Sequence, residues 1–138
     1  MMNVITCYDS RKGTTAAAAT AMDRQFTRHG HKCTVESVVA ADPTACSNAD
    51  LICVGSWTQD FFFFHQHPTR QSMCFINRLG NLEGKKAIVF CTFRIATGSV
   101  LPRMAKILED KGAQIVAQFK FRGAYPGNAF TCFVGSIS

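Results

Sequence analysis

Val4-Ile5-Thr6-Cys7-Tyr8-Asp9-Ser10-Arg11-Lys12-Gly13-Thr14-Thr15 is the stretch on which the fold turns. Its first five residues are a short run rich in β-branched and aromatic side chains, the composition of a strand. Asp9 and Ser10 end that run in a loop. From Thr14 to His29 the spacing changes: Ala18, Met22 and Phe26 recur every four residues, with Ala19 and Ala21 on the same side. That period predicts an amphipathic helix. Thr14 or Thr15 can cap its start, and Gly30 follows its end. Strand, small polar loop and helix together make the first half of a βαβ unit.

The alternation continues outward from there. Cys33 to Val39 reads as a second strand, and Asp42-Pro43-Thr44 as a turn into one short helical piece. Leu51-Ile52-Cys53-Val54 is a continuous apolar run that stops at Gly55, as expected of a strand covered on both faces. Thr69 to Leu79 is predicted helical, with Met73, Ile76 and Leu79 on one side, and Gly80 ends it. Ala87-Ile88-Val89-Phe90-Cys91 is another buried strand. Ser99 to Lys111 carries Leu101, Met104 and Leu108 on one helical face and closes at Gly112. Gln114 to Phe121 is the fifth strand. Strands alternating with helices imply a parallel sheet with right-handed crossovers and helices on both faces. The expected fold is thus an α/β, three-layer domain spanning residues 1–138, with a five-stranded parallel sheet.

Bulk properties agree. The chain has 138 residues and 47% hydrophobic content, enough for one real core. No apolar run approaches the roughly 20 residues that span a bilayer. Met1 to Thr6 has none of the basic region of a signal peptide, so a cytoplasmic location is expected. The seven cysteines are scattered, with no CxxC pair and no histidine at zinc-site spacing. Cys7, Cys53 and Cys91 sit inside apolar runs, where a thiol acts as a small hydrophobe. The net charge of +6 is dispersed, with no block of five or six like charges. It fits either a solvated basic surface or an acidic or phosphate-bearing partner. No helix-turn-helix, zinc or RNA-binding signature accompanies it, so nucleic acid is not an expected partner.

In a parallel sheet of this kind the ligand sits at the carboxyl ends of the strands. The loops to inspect are therefore Asp9–Thr15, Gly55–Pro68 and Thr92–Ser99. In the first, Ser10, Arg11, Lys12, Gly13, Thr14 and Thr15 lead into a helix N-terminus, where unpaired N–H groups and partial positive charge suit a phosphate. The Walker spacing is absent, and a single glycine makes no dinucleotide fingerprint. In the second, Ser56, Trp57 and Thr58 follow the third strand, and Trp57 is the only tryptophan. An aromatic there can stack on a flat π ligand as readily as it fills core space. In the third, Thr92, Phe93 and Arg94 leave the fourth strand, with Phe93 as a second candidate ring.

These loops resemble those of the flavodoxin family. That family's phosphate loop commonly reads [ST]-x-T-G-x-T here, and Ser10, Gly13 and Thr15 match it. Lys12 replaces a threonine and Thr14 a residue that is often asparagine, so a hydroxyl is exchanged for a cation that can pair with phosphate. Gly55-Ser56-Trp57-Thr58 is similar to the family's loop against the isoalloxazine ring. Leu82-Glu83-Gly84-Lys85-Lys86 is similar to the approach to its fourth strand. The resemblance implies FMN as cofactor, strand order 2-1-3-4-5, a redox partner protein and electron transfer. Arg94 departs from the acidic residues usual in the third loop. A cation there should raise the flavin's potential relative to acidic members.

Three expectations concern the edges of that resemblance. Phe61 to Phe64 carries aromatics on both sides of an extended segment, more than one buried face needs, and is expected to form a homodimer or partner contact. His65 and His67 lack companion ligands and read as loop residues rather than a metal pair. Asn128 to Ser138 offers Phe130, Phe133, Val134 and Ile137 at helical spacing, which predicts a short, weak final helix and a partly open sheet face, a second place where a partner or a homodimer contact is expected. Two other functions stay open at this point. One is a flavin-free interaction module of the same fold, suggested by Lys12, Thr14 and Arg94. The other is a small FMN-dependent quinone or NAD(P)H reductase acting as a dimer. A receiver domain fits less well, because Gly55 to Thr58 offers no carboxylate.

Overall fold

Helix and strand alternate along the chain as the apolar periods require. The computed structural model describes residues 2–10, 13–57, 59–61, 64–67, 70–93 and 100–137, with the backbone alone at 59–61 and 64–67. Strand β1 (Asn3–Asp9) leads to helix α1 (Thr14–Arg28), then β2 (Lys32–Ser37), α2 (Pro43–Ser47) and β3 (Leu51–Trp57). A small hairpin follows, β4 (Gln59–Phe61) with β5 (Phe64–His67). The chain then forms α3 (Arg70–Arg78), β6 (Lys86–Thr92), α4 (Val100–Asp110), β7 (Gln114–Phe121) and α5 (Asn128–Ile137).

The main sheet has the order β2-β1-β3-β6-β7, every neighbour parallel. Counting only its own strands, that is the expected 2-1-3-4-5. The central strands carry unbroken apolar runs, Leu51–Val54 in β3 and Ala87–Cys91 in β6, because both their faces are covered. Ile52 and Val54 of β3, with Ala87, Val89 and Cys91 of β6, face the core under α3 and α4, which supply Phe75, Ile76, Met104 and Leu108. Leu51, Cys53, Ile88 and Phe90 face the other way, against Ala18, Ala19, Met22 and Phe26 of α1. The period of two along each strand thus divides one sheet between two helical layers.

Helix α1 buries Thr15, Ala18, Ala19, Met22 and Phe26, which is the expected stripe. Ala21 lies at its edge, half-buried. Besides the β4–β5 pairing, two features differ from the sequence reading. The apolar run of the third strand stops at Val54, but the strand does not: Gly55, Ser56 and Trp57 stay paired to Phe90, Cys91 and Thr92 of β6. Backbone pairing continues past the residues whose side chains announce it.

The second difference is at the C-terminal segment. Phe130 and Val134 of α5 are fully buried. Phe130 meets Phe26 edge-on at 5.4 Å and Phe119 at 5.3 Å between ring centroids. The middle of the sheet face expected to be partly open is therefore covered, since a few large rings span it, while Cys33, Val35, Val116 and Ala117 on the flanking strands stay half-buried. The side chains of Phe61 and Phe64, and all of Phe62 and Phe63, lie outside the described residues. Among the described residues no helix is long and apolar enough to cross a membrane.

Candidate functional site

The carboxyl ends of β1, β3 and β6 lie side by side, because their registers run to the last residue of each strand. Asp9 pairs with Ser56, and Trp57 with Thr92. Ser10, Ser56, Trp57, Thr92 and Phe93 are thereby gathered at one edge of the sheet, with the start of α1 beside them. Arg11, Lys12, Thr58 and Arg94 lie outside the described residues.

Helix α1 begins without a side-chain cap and without an acidic residue in its first turn. Its ladder starts with the Ala17 N–H donating to the Gly13 carbonyl at 2.9 Å. The preceding amides, from Thr14 to Ala16, are the ones a helix cannot satisfy by itself. Gly13 occupies the N-cap position with φ +86°, a left-handed conformation that a side chain would strain. The backbone there turns in a way a capping serine or threonine would not. Thr15 does not cap either: its Oγ1 lies 2.7 Å from Thr92 Oγ1, both residues buried. This hydroxyl pair ties the first turn of α1 to the end of β6. Ser10 Oγ is secluded from solvent and has no hydrogen-bond partner among the described residues. A hydroxyl in that condition costs about 1–3 kcal/mol unless something arrives to bond it.

The second loop is shaped by packing. A Cβ on Gly55 would come within 2.1 Å of the Phe90 ring, and Phe90 itself is fully buried. Gly55 is thus required by the ring on its neighbour strand, which lets β3 deliver Ser56 and Trp57 to the edge. Ser56 is buried, and its Oγ donates to the Trp57 carbonyl at 2.8 Å. Trp57 is half-buried.

Three participants were not singled out from the sequence. Asp9 is buried, 7% exposed. With the Gln71 amide assigned by its surroundings, its nitrogen donates to the two carboxylate oxygens at 3.0 and 3.3 Å. A charged residue closing an apolar strand was the available signal for Asp9. Gln71, on α3, carried none. Arg122 follows β7 and sets its guanidinium 5.5 Å from the centroid of the half-buried Phe93 ring, a cation–π contact. Phe93 is held from the backbone as well, its N–H donating to the Phe121 carbonyl at 3.1 Å. A separate open cleft of about 310 Å³ lies between the residues after β2 and α3, and shares Gln71 with the Asp9 contact.

Residues 5–133 match the family model of the flavodoxin domain. The chain belongs to the flavodoxin family. Solved flavodoxins carry the same fold. The two-electron reduced flavodoxin of Megasphaera elsdenii aligns with a TM-score of 0.81 at 20% identity, over 95% of this chain and 93% of that one. A short-chain flavodoxin associated with a non-canonical PDU bacterial microcompartment aligns with a TM-score of 0.80 at 17% identity, over 98% and 95%. Larger proteins contain the unit too. Rubredoxin oxygen:oxidoreductase of Desulfovibrio gigas aligns over 98% of this chain and 34% of its own, with a TM-score of 0.76 at 19% identity. At such identities the likeness speaks for the fold. No curated protein matches the chain in a sequence search.

Proposed function

We propose that this flavodoxin-family chain binds FMN at the strand-end edge and carries electrons to and from a protein partner. The observation that carries the reading is Ser10 Oγ, secluded and unpartnered among the described residues, three residues before the N-cap position Gly13 of the uncapped helix α1. A phosphate supplies the acceptors that both the hydroxyl and the first-turn amides lack. Ser10, Gly13, Thr14 and Thr15 would hold it, with Arg11 and Lys12 adding positive charge. Trp57 and Phe93 would flank the ring, with Ser56, Thr58, Thr92 and Arg94 around its polar edge. Bound FMN supplies one- and two-electron chemistry; the chain's own part is binding, orientation and electrostatics. Arg122 holds Phe93 from one side and adds positive charge close to that ring, and Arg94 would add a second cation. This favours a potential above that of acidic surroundings. The net charge of +6 suits an acidic redox partner.

The test is a visible spectrum of the purified protein, followed by parallel titrations with FMN and riboflavin read by flavin fluorescence. The expected result is tight quenching with FMN and much weaker quenching with riboflavin. Equal affinities would remove the phosphate loop from the reading. No quenching by either would overturn FMN binding altogether.

A further inference from the structure

Cys7 on β1 and Cys46 on α2 bring their sulfurs to 3.4 Å in the core under α3 and α4. Both thiols are free, and Cys46 is the buried residue of α2. We propose that Cys7 and Cys46 form a redox-active dithiol that a small hydroperoxide converts to a disulfide. The proposal stands independently of flavin binding.

Distance and setting both suit the step. A disulfide bond is about 2.05 Å long, so the sulfurs need to close by about 1.4 Å. The element that must move is small. Helix α2 has five residues, started by Asp42 accepting from the Thr44 N–H at 3.0 Å, with Pro43 in its first turn. Its anchors beyond itself include Ser47, whose Oγ accepts from the Gly80 N–H at 3.3 Å. Thr44, Ala45 and Asn48 around Cys46 are exposed. A short helix at the surface opens locally at low cost, and that opening gives a small peroxide access to Cys46. The central strand β1 stays in place.

The two thiols are not equivalent. Their mutual hydrogen bond holds Cys46 below its ordinary value, against the opposing effects of burial, Asp42 and Glu36. The same hydrogen bond, with burial, pushes Cys7 far up. The 3.4 Å contact can be donated from either sulfur; when Cys7 donates, Cys46 is the side that carries the thiolate. Reactivity toward peroxide belongs to the thiolate. The Cys46 sulfur attacks hydrogen peroxide, forming an S–O bond as the O–O bond breaks, which yields a sulfenic acid and, after protonation, one water. The Cys7 sulfur then attacks the Cys46 sulfur, forming the S–S bond while the S–O bond breaks. The departing hydroxide takes the Cys7 proton as a second water. Two thiols lose two electrons and two protons, and one peroxide becomes two waters.

The consequence is a covalent tie between β1, which ends at Asp9 and leads directly into Ser10, and the β2–β3 connection. The loop it closes spans about 40 residues. In the chain-entropy account, closing that loop raises the melting temperature by about 10 °C for a domain of this size.

The test uses the C74S/C132S chain, which removes the two exposed cysteines. After treatment with one equivalent of hydrogen peroxide, the protein is unfolded, alkylated and mapped by mass spectrometry. The expected product is 2 Da lighter, with two of its five cysteines protected from alkylation and the Cys7 and Cys46 peptides joined. Its melting temperature rises, and dithiothreitol restores the original value. Full alkylation of all five, a link between other cysteines, or a 32 Da gain at Cys46 without a link would overturn the proposal. The C46A variant should lose the link; if it does not fold, the map of the parent chain decides alone.

Discussion

Ser10→Ala separates a binding role from a structural one, because the two predict opposite signs in the same protein. In the flavin-free chain Ser10 Oγ is secluded and unpartnered among the described residues. Burying a hydroxyl in that state costs about 1–3 kcal/mol. Its removal should leave the apo protein as stable as before or more stable, by up to that amount. With FMN the balance reverses. A hydrogen bond from the hydroxyl to a charged phosphate is worth about 1.5–3 kcal/mol, so its loss should weaken FMN about 10- to 150-fold. Riboflavin, which has no phosphate, should bind both forms alike. Urea denaturation of the apo proteins gives the first quantity, and fluorescence titration with the two flavins gives the second. An apo variant destabilised by more than about 1 kcal/mol, with FMN affinity unchanged, would refute the reasoning. Ser10 would then be a structural residue whose partner lies in the loop itself.

Other expectations follow from the same contacts. Gly55→Ala should destabilise the domain by about 1–3 kcal/mol in chemical denaturation, because the fully buried Phe90 ring occupies the place of the new methyl group. Phe130→Ala removes the ring that joins α5 to Phe26 and Phe119 and should cost about 3–5 kcal/mol; a loss below 1 kcal/mol would mean that α5 does not close that face. His31, where the backbone N–H of Met2 donates to Nδ1 at 3.2 Å, is held below its ordinary value, chiefly by burial and then by the nearby amino terminus and His29. The unfolded chain then binds the proton more readily, so the contribution of His31 is full above pH about 6.5 and is lost as the pH falls through the folded value. His31→Gln should flatten the stability profile in that range, as followed by denaturant midpoints from pH 7.5 to 5. In the FMN-loaded protein, Arg122→Leu should lower the flavin potential measured by redox titration, since it removes the cation against Phe93.

The layers of this fold were legible because both main faces of the sheet are covered. Covered strands become unbroken apolar runs, and Leu51–Val54 and Ala87–Cys91 show it without any periodicity to interpret. Helix α1 was legible for the opposite reason: one face is wet, so Ala18, Met22 and Phe26 stand out at helical spacing. What escaped has a different physical origin. The β4–β5 pairing surrounds Phe61–Phe64, a run without the Gly, Asn or Asp that flags a tight hairpin. The strength of α5 was underread because spacing counts positions and not area. Its stripe is short, but Phe130 alone reaches Phe26, Phe119 and Phe121.

The site divides along the same line. Strand ends and a helix start are local, so Ser10, Gly13, Ser56, Trp57, Thr92 and Phe93 could be placed at one edge from the order of elements alone. The couplings across that edge are not local. Thr15 and Thr92 are 77 residues apart, and nothing in either segment announces that their hydroxyls meet. The same holds for Gln71 of α3 on Asp9 and for Arg122, just after β7, on Phe93. Each coupling joins a residue of the expected loops to a second element. Loop residues fixed at both ends in this way lose less freedom when a ligand arrives, so more of the contact energy remains as affinity. In this chain, then, the chemistry at the edge follows from the order of elements, while its rigidity follows from pairings that only the folded sheet creates.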